Sequence, residues 1–229
     1  MNHAPAAGTR RLNSDVCIIG FGPVGQLLAL QLGRQGHQVV VMDQNEAGYP
    51  LPRAVTHCSD FARILQSVGL APDTIPEVTQ PYDDMYVWMN AEGRSLVEVD
   101  WSGLGESGWF NTYFFNQPEL ERLLIDRIAE MPNVCLLRPA RAVSIEQVDD
   151  HAVVTAVDGL DGATLEVEAA YMVGADGANS AVRRWCGIRQ VDRGFFYDWL
   201  VVDVRPSPEL EFPHVAHQHC DYRRPATMV

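Results

Sequence analysis

DVCIIGFGPVGQLLALQLGRQGHQVVVMD, residues 15 to 43, is the stretch on which the fold turns. Val16 to Ile19 form a short apolar run bounded by Asp15 and Gly20, the pattern of a strand buried on both faces of a parallel sheet. Pro23 suits the first position of a helix, where its missing N–H would have had no partner, and that helix is expected to stop at Gly36. Residues 38 to 43, QVVVMD, give a second β-branched run ending in an acid. Strand, glycine turn, helix and strand in this order make a βαβ unit. Within the turn, Gly20 can take the tight bend, Gly22 leaves room for a pyrophosphate to touch the backbone, and Gly25 permits close helix-to-strand packing. The helix N-terminus adds unpaired N–H groups and a partial positive charge. Asp43 stands 18 residues beyond Gly25, where a carboxylate can accept from a ribose hydroxyl. The constellation reads as a dinucleotide site; the alternative is a structural glycine turn with Asp43 as a strand-end charge.

Outward from this unit, a second helix is expected over about His57 to Val68, closed by Gly69. Residues 85 to 89 and 95 to 100 look like a hairpin, and 110 to 115 like a third strand, an antiparallel block interrupting the α/β pattern. A helix with early glutamates runs from Pro118, followed by strands at 134 to 138, 141 to 148, 151 to 157 and 163 to 176. A short helix is expected around Ala178 to Cys186, then strands at 198 to 204, His214 to His219 and Ala226 to Val229.

Composition narrows the class of partner. The 229 residues carry 30 acids against 17 bases, a formal charge of -13, so phosphate backbones and anionic lipid surfaces are repelled. Neither nucleic acid nor membrane is an expected partner. All 17 bases are arginine, which excludes Schiff-base chemistry and a phosphate-loop lysine. Cys17, Cys58, Cys135, Cys186 and Cys220 show no C-x-x-C spacing, so neither a disulfide framework nor a zinc knuckle is suggested, and a reducing cytoplasm is the natural compartment. His214, His217, His219 and Cys220 cluster in sequence but lack a defined ligand set, and no metal site is expected. Phe195, Phe196, Tyr197 and Trp199 could line an aromatic pocket or equally pack in a core.

A second motif, Gly174-Ala175-Asp176-Gly177-Ala178-Asn179-Ser180 with Val182-Arg183, lies between an apolar strand and a short helix. Asp176 can cap that helix, and Gly177 can let a ligand approach the backbone. On this motif and on Gly20-Phe21-Gly22-Pro23-Val24-Gly25, the chain resembles the FAD-dependent aromatic hydroxylases, the class A flavin monooxygenases. Pro52-Arg53-Ala54, residues 65 to 70 and Asn116-Gln117-Pro118-Glu119-Leu120-Glu121 extend the likeness, as do Trp199 to Asp203, Cys220-Asp221 and Arg224-Pro225. The pattern is most similar to the 3-(3-hydroxyphenyl)propionate hydroxylase branch. Two departures stand out: Asp43 where family members mostly carry glutamate, and the less acidic segment Val55 to Asp60.

The resemblance implies an α/β fold: a Rossmann-like FAD-binding domain with the βαβ unit and a three-stranded antiparallel crossover, plus part of a mixed-sheet substrate domain. Residues 1–14, with two arginines and no apolar stretch behind them, read as a disordered leader, and the resemblance implies FAD-binding parts at 15–80 and 116–190, a substrate-domain insertion at 81–115 and an incomplete substrate domain at 191–229. FAD would be held by Gly20, Gly22, Pro23, Gly25, Asp43, Arg53, Gln117, Asp176 and Gly177, with Arg53 near ribose and pyrophosphate and Gln117 near the flavin. The implied reaction is NAD(P)H-consuming hydroxylation of a small phenolic substrate by O2 through a flavin C4a-hydroperoxide. No residue reads as its catalytic acid or base. The family's later G-D motif does not occur up to residue 229, so the alternative expectation is an incomplete, inactive FAD-binding fragment. A simple NAD(P)-dependent dehydrogenase would leave the second motif unexplained.

Overall fold

The computed structural model describes residues 8–48, 50–204, 207, 209 and 215–229. In chain order its elements are β1 (Thr9–Ile19), α1 (Pro23–Arg34), β2 (Val39–Met42), β3 (Thr56–Cys58), α2 (Ser59–Ser67), β4 (Thr79–Tyr82), β5 (Met85–Met89), β6 (Ser95–Asp100), β7 (Thr112–Phe115), α3 (Gln117–Ala129), β8 (Val134–Leu137), β9 (Ala140–Val148), β10 (His151–Asp158), β11 (Thr164–Gly174), α4 (Ala181–Trp185), β12 (Ala216–His219) and β13 (Ala226–Met228). They fall into two compact units. The first holds the described residues up to Ala54 with Ile64–Val78 and Asn116–Arg189; the second holds Val55–Arg63, Thr79–Phe115 and the described residues from Gln190 onward. No helix among the described residues is long and apolar enough to cross a membrane.

The first unit is built on a six-stranded sheet in the order β8-β2-β1-β11-β10-β9. β8, β2, β1 and β11 run parallel, while β9, β10 and β11 form an antiparallel meander. Val16 to Ile19 and Val39 to Met42 are buried throughout, as central parallel strands covered on both faces must be. α1 presents Leu27, Ala29 and Leu30 inward and packs on α3, whose Leu120, Leu124 and Ile128 are buried at helical spacing.

The second unit contains a three-stranded antiparallel sheet, β3-β7-β4, and a four-stranded mixed sheet, β13-β12-β5-β6. Tyr82, Tyr86 and Ala216 form its buried cluster, flanked by Trp88, Trp101 and Phe114. His57 is buried there, stacked on the Tyr113 ring and bonded through Nε2 to Thr79 Oγ1 at 2.8 Å. Burial pushes its pKa down, although a hydrogen bond with the Cys58 carbonyl partly opposes this.

Several expectations need correction. Thr9 to Ser14 are not part of a disordered leader: they continue β1 and pair with Thr164 to Ala169. The long β11 offers them a hydrogen-bonding edge, and Arg10 and Arg11 are drawn to Asp158 and Glu166. The second helix starts at Ser59 rather than His57, because Thr56 to Cys58 pair with Thr112 to Phe114. The strand expected from residue 110 likewise begins at Thr112, and the short helix near Ala178 begins at Ala181. Residues 198 to 204 are not a strand; Trp199 to Val202 lie exposed, and an apolar run with no partner strand among the described residues has nothing there to complete its hydrogen bonds. β4 escaped notice because Pro81 sits within it. His214 lies outside the described residues, and β12 starts at Ala216.

Candidate functional site

Open α/β sheets place ligands beyond the carboxyl ends of their parallel strands, where the chain must turn into a helix or loop. Here the ends of β1, β2 and β11 converge. Gly20 N–H donates to the Met42 carbonyl at 2.8 Å, and Ala175 N–H donates to Ile19 carbonyl at 2.7 Å. An open cleft of about 380 Å³ lies over these ends. Eight of the nine expected residues line it: Gly20, Gly22, Pro23, Asp43, Arg53, Gln117, Asp176 and Gly177. Gly25 lies behind the lining.

The glycines divide the work as their spacing suggests. Gly20 has φ +107, and a Cβ there would lie 2.3 Å from the Ala175 carbonyl oxygen. A Cβ at Gly25 would lie 2.0 Å from the Gly20 carbonyl oxygen, so strand and helix touch backbone to backbone. A Cβ at Gly22 would meet no atom within 4 Å, because that face opens into the cleft. Gly22 is also the N-cap of α1, and no side chain among the described residues caps this helix. Its first-turn N–H groups are therefore available to an anion.

The turn itself is gripped by side chains. Asp43 Oδ2 accepts from Phe21 N–H at 2.8 Å, while its Oδ1 accepts from the backbone N–H and Nδ2 of Asn45 at 2.8 and 3.0 Å. A carboxylate offers about four acceptor sites, so three protein donors leave capacity for one more. Gln26 Nε2, fully buried, donates to the Phe21 carbonyl at 2.9 Å. The Arg138 guanidinium stands 5.6 Å from the centre of the Phe21 ring.

The second turn is organised differently. Asp176 Oδ2 accepts from Ala181 and Val182 N–H at 2.6 and 3.1 Å, Oδ1 accepts from Ser180 Oγ, and Ser180 Oγ accepts from Arg183 N–H at 2.9 Å. Burial pushes the Asp176 carboxyl up, but the hydrogen bonds from Ser180, Val182 and Ala181 outweigh it and hold the group below the usual carboxylate range. The capping role read from the sequence is thus shared between Asp176 and Ser180.

Gln117 and Arg53 meet, though not guanidinium to amide. Gln117 Oε1 accepts the backbone N–H groups of Arg53 and Ala54, both at 3.0 Å, and its Nε2 donates to Glu121 Oε1 at 2.8 Å. Glu121, Gln26, Arg138, Arg141 and Arg184 were not singled out by sequence. Only the i, i+4 spacing of Gln117 and Glu121 on α3 carried a local hint. Four arginines, Arg53, Arg138, Arg141 and Arg184, against the acids Asp43, Glu121 and Asp176 give this cleft a basic balance inside a chain of charge -13. Such a lining suits a phosphate-bearing ligand.

The chain is similar to known proteins in sequence and in fold. The family model described as FAD binding domain matches residues 13–226. A probable NADH-specific resorcinol 4-hydroxylase of Rhodococcus jostii (strain RHA1) is 34% identical over 225 residues, covering 98% of this chain and 42% of the relative. A 3-(3-hydroxy-phenyl)propionate/3-hydroxycinnamic acid hydroxylase of Paraburkholderia xenovorans (strain LB400) is 36% identical over 224 residues, 96% of this chain and 35% of the relative. The chain therefore spans well under half the length of these curated relatives. Among solved structures, p-nitrophenol 4-monooxygenase PnpA from Pseudomonas putida DLL-E4 superposes with a TM-score of 0.67 at 26% identity, covering 78% of this chain and 44% of that one. The flavin-dependent monooxygenase PieE, in complex with FAD and substrate, gives 0.67 at 25% identity, over 77% of this chain and 32% of that one.

Proposed function

Since this chain belongs to the FAD binding domain family, we propose that it provides the flavin cleft of an NAD(P)H-consuming monooxygenase that hydroxylates a small phenolic ring with O2. The observation that carries the reading is the convergence of both glycine turns, Asp43 and Arg53 on one cleft at the carboxyl ends of the parallel strands. When bound, FAD supplies the redox chemistry, accepting hydride from the nicotinamide and activating O2. The protein's task is to hold and orient. Gly20, Gly22, Pro23 and Gly25 would present the uncapped N-terminus of α1 to the pyrophosphate. Asp43 would use its remaining acceptor site on a ribose hydroxyl, Arg53 would meet phosphate charge, and Asp176 with Gly177 would shape the opposite rim.

The substrate class rests on the names of the relatives, a resorcinol hydroxylase and a hydroxyphenylpropionate hydroxylase. The Rhodococcus relative's name specifies NADH, which makes NADH the first reductant to test.

The test starts with titration of the purified chain with FAD, followed by flavin fluorescence and the visible spectrum. Saturable binding with a perturbed flavin spectrum supports the cleft, and a chain that leaves FAD fluorescence unchanged overturns it. NADH oxidation accelerated by resorcinol or 3-(3-hydroxyphenyl)propionate, with a hydroxylated product, supports the substrate class. Oxidation that ignores both phenols overturns that class without touching the cofactor reading.

A further inference from the structure

A buried polar chain runs along the cleft, with Gln117 and Glu121 on its lining and Gln26 behind it. It starts at the carbonyl of Phe21, at the centre of the first glycine turn. Gln26 Nε2 on α1 donates there at 2.9 Å and to Glu121 Oε2 at 3.2 Å. Glu121 Oε1 accepts from Gln117 Nε2, one turn earlier on α3, at 2.8 Å. Gln117 Oε1 then accepts the two N–H groups of Arg53 and Ala54. Gln26, Gln117 and Glu121 are all buried.

Burying a carboxylate and two amides is a poor route to stability, since an apolar trio of similar volume is commonly as stable or more so. Gln26 Oε1 even lacks a donor among the described residues, which is costly in a buried amide. What the chain does achieve is geometric. The first glycine turn and the Arg53 segment are far apart in sequence, and both end on one carboxylate. Gln117, expected beside the flavin, has its amide oxygen and nitrogen already engaged by protein groups.

We propose that Glu121 is a positioning residue that sets two walls of the cleft in register, the glycine turn through Gln26 and the Arg53 segment through Gln117. Gln117 acts within this clamp. The inference rests on the FAD reading for its effect on affinity, but the clamp itself is a property of the protein alone.

The test uses Glu121→Gln and Gln26→Leu, each alone and combined. Glu121→Gln keeps the shape but replaces one acceptor oxygen with a donor. Gln26→Leu removes the buried orphan oxygen and alters a side chain that does not line the cleft, so this variant is expected to fold. Two readouts are taken: FAD affinity by fluorescence, and amide exchange of the cofactor-free protein.

Each single variant should weaken FAD binding about tenfold, the scale of one hydrogen bond to a charged group, and the double variant should be little worse than either. Arg53 and Ala54 amides should exchange faster in Glu121→Gln while amides of β1 and β2 do not. Weakened binding in Glu121→Gln with unchanged binding in Gln26→Leu would make Glu121 a direct contact and overturn the clamp. Unchanged exchange at Arg53 and Ala54 would overturn it too, whether or not the parent chain binds FAD. Failure of the parent chain to bind FAD, with the exchange result as expected, would leave the clamp standing and sink the FAD reading alone.

Discussion

The two glycine turns sit at the carboxyl ends of adjacent parallel strands, β1 and β11, yet they dispose of their helix donors in opposite ways. α1 starts at Pro23 with Gly22 as N-cap and no capping side chain, while the nearest carboxylate, Asp43, takes the N–H of Phe21, just before the helix. α4 starts with its donors consumed: Ala181 and Val182 by Asp176, Arg183 by Ser180. A strand–turn–helix motif is thus not an anion site by shape alone. Whether the first-turn N–H groups are free decides it. Among the described residues, the first turn is the one that leaves its helix donors uncommitted. The second contributes form and a glycine, Gly177, around which nothing lies within 4 Å of an added Cβ.

The largest expected effect is at Gly25. Its added methyl would lie 2.0 Å from a backbone oxygen that cannot swing aside, so Gly25→Ala should destabilise the fold by on the order of 3 kcal/mol. Thermal unfolding measures this, and a wild-type midpoint would show that the turn is not packed as described. Gly22→Ala separates binding from folding. Its φ of -80 is open to any residue and no atom stands near the added Cβ, so stability should stay within about 0.5 kcal/mol. FAD affinity should fall about tenfold or more, because the methyl occupies the space a phosphate needs; unaltered affinity would move the anion elsewhere.

Asp176→Ala should invert that result. Loss of a helix cap costs about 1–2 kcal/mol, visible in unfolding, while FAD affinity changes less than in Gly22→Ala. Affinity lost more steeply than in Gly22→Ala would show that the second turn holds the ligand directly. The smallest effect is acid titration of the same group. With its folded pKa held below the ordinary 3.8, Asp176 contributes its stabilisation fully above that value. It loses the contribution as pH falls from there through the depressed value. Amide exchange at Ala181 and Val182, corrected for intrinsic rates, should accelerate over that window, whereas Gln26 N–H, bonded to the Gly22 carbonyl in the first turn, should not.

What was legible in the sequence was local. The end of β1 from Val16, α1 and β2 lie within residues 15 to 43, with the apolar runs, Pro23 and the glycines all contiguous, so one window contained the whole argument. Asp176 could be read as a cap because its partners are five and six residues away. The rest depended on distant partners. Thr9 to Ser14 become a strand only because β11 lies alongside, some 155 residues later. Trp199 to Val202 have strand-like composition but find no such neighbour among the described residues. Glu121 looked like an ordinary helix acid, and Gln26 like a polar interruption of an apolar helix; only packing of α1 on α3 brings the two together. The nine expected site residues were named by motif, but the distinction between a free and a consumed helix terminus needed coordinates.

Hydrogen exchange of the intact chain with and without saturating FAD tests the contrast between the two turns most directly. FAD should slow exchange at the amides of Gly22, Val24 and Gly25, with Ala181 and Val182 already protected and little changed. Protection gained at Ala181 and Val182 while the first turn stays as fast as in the cofactor-free protein would contradict the account.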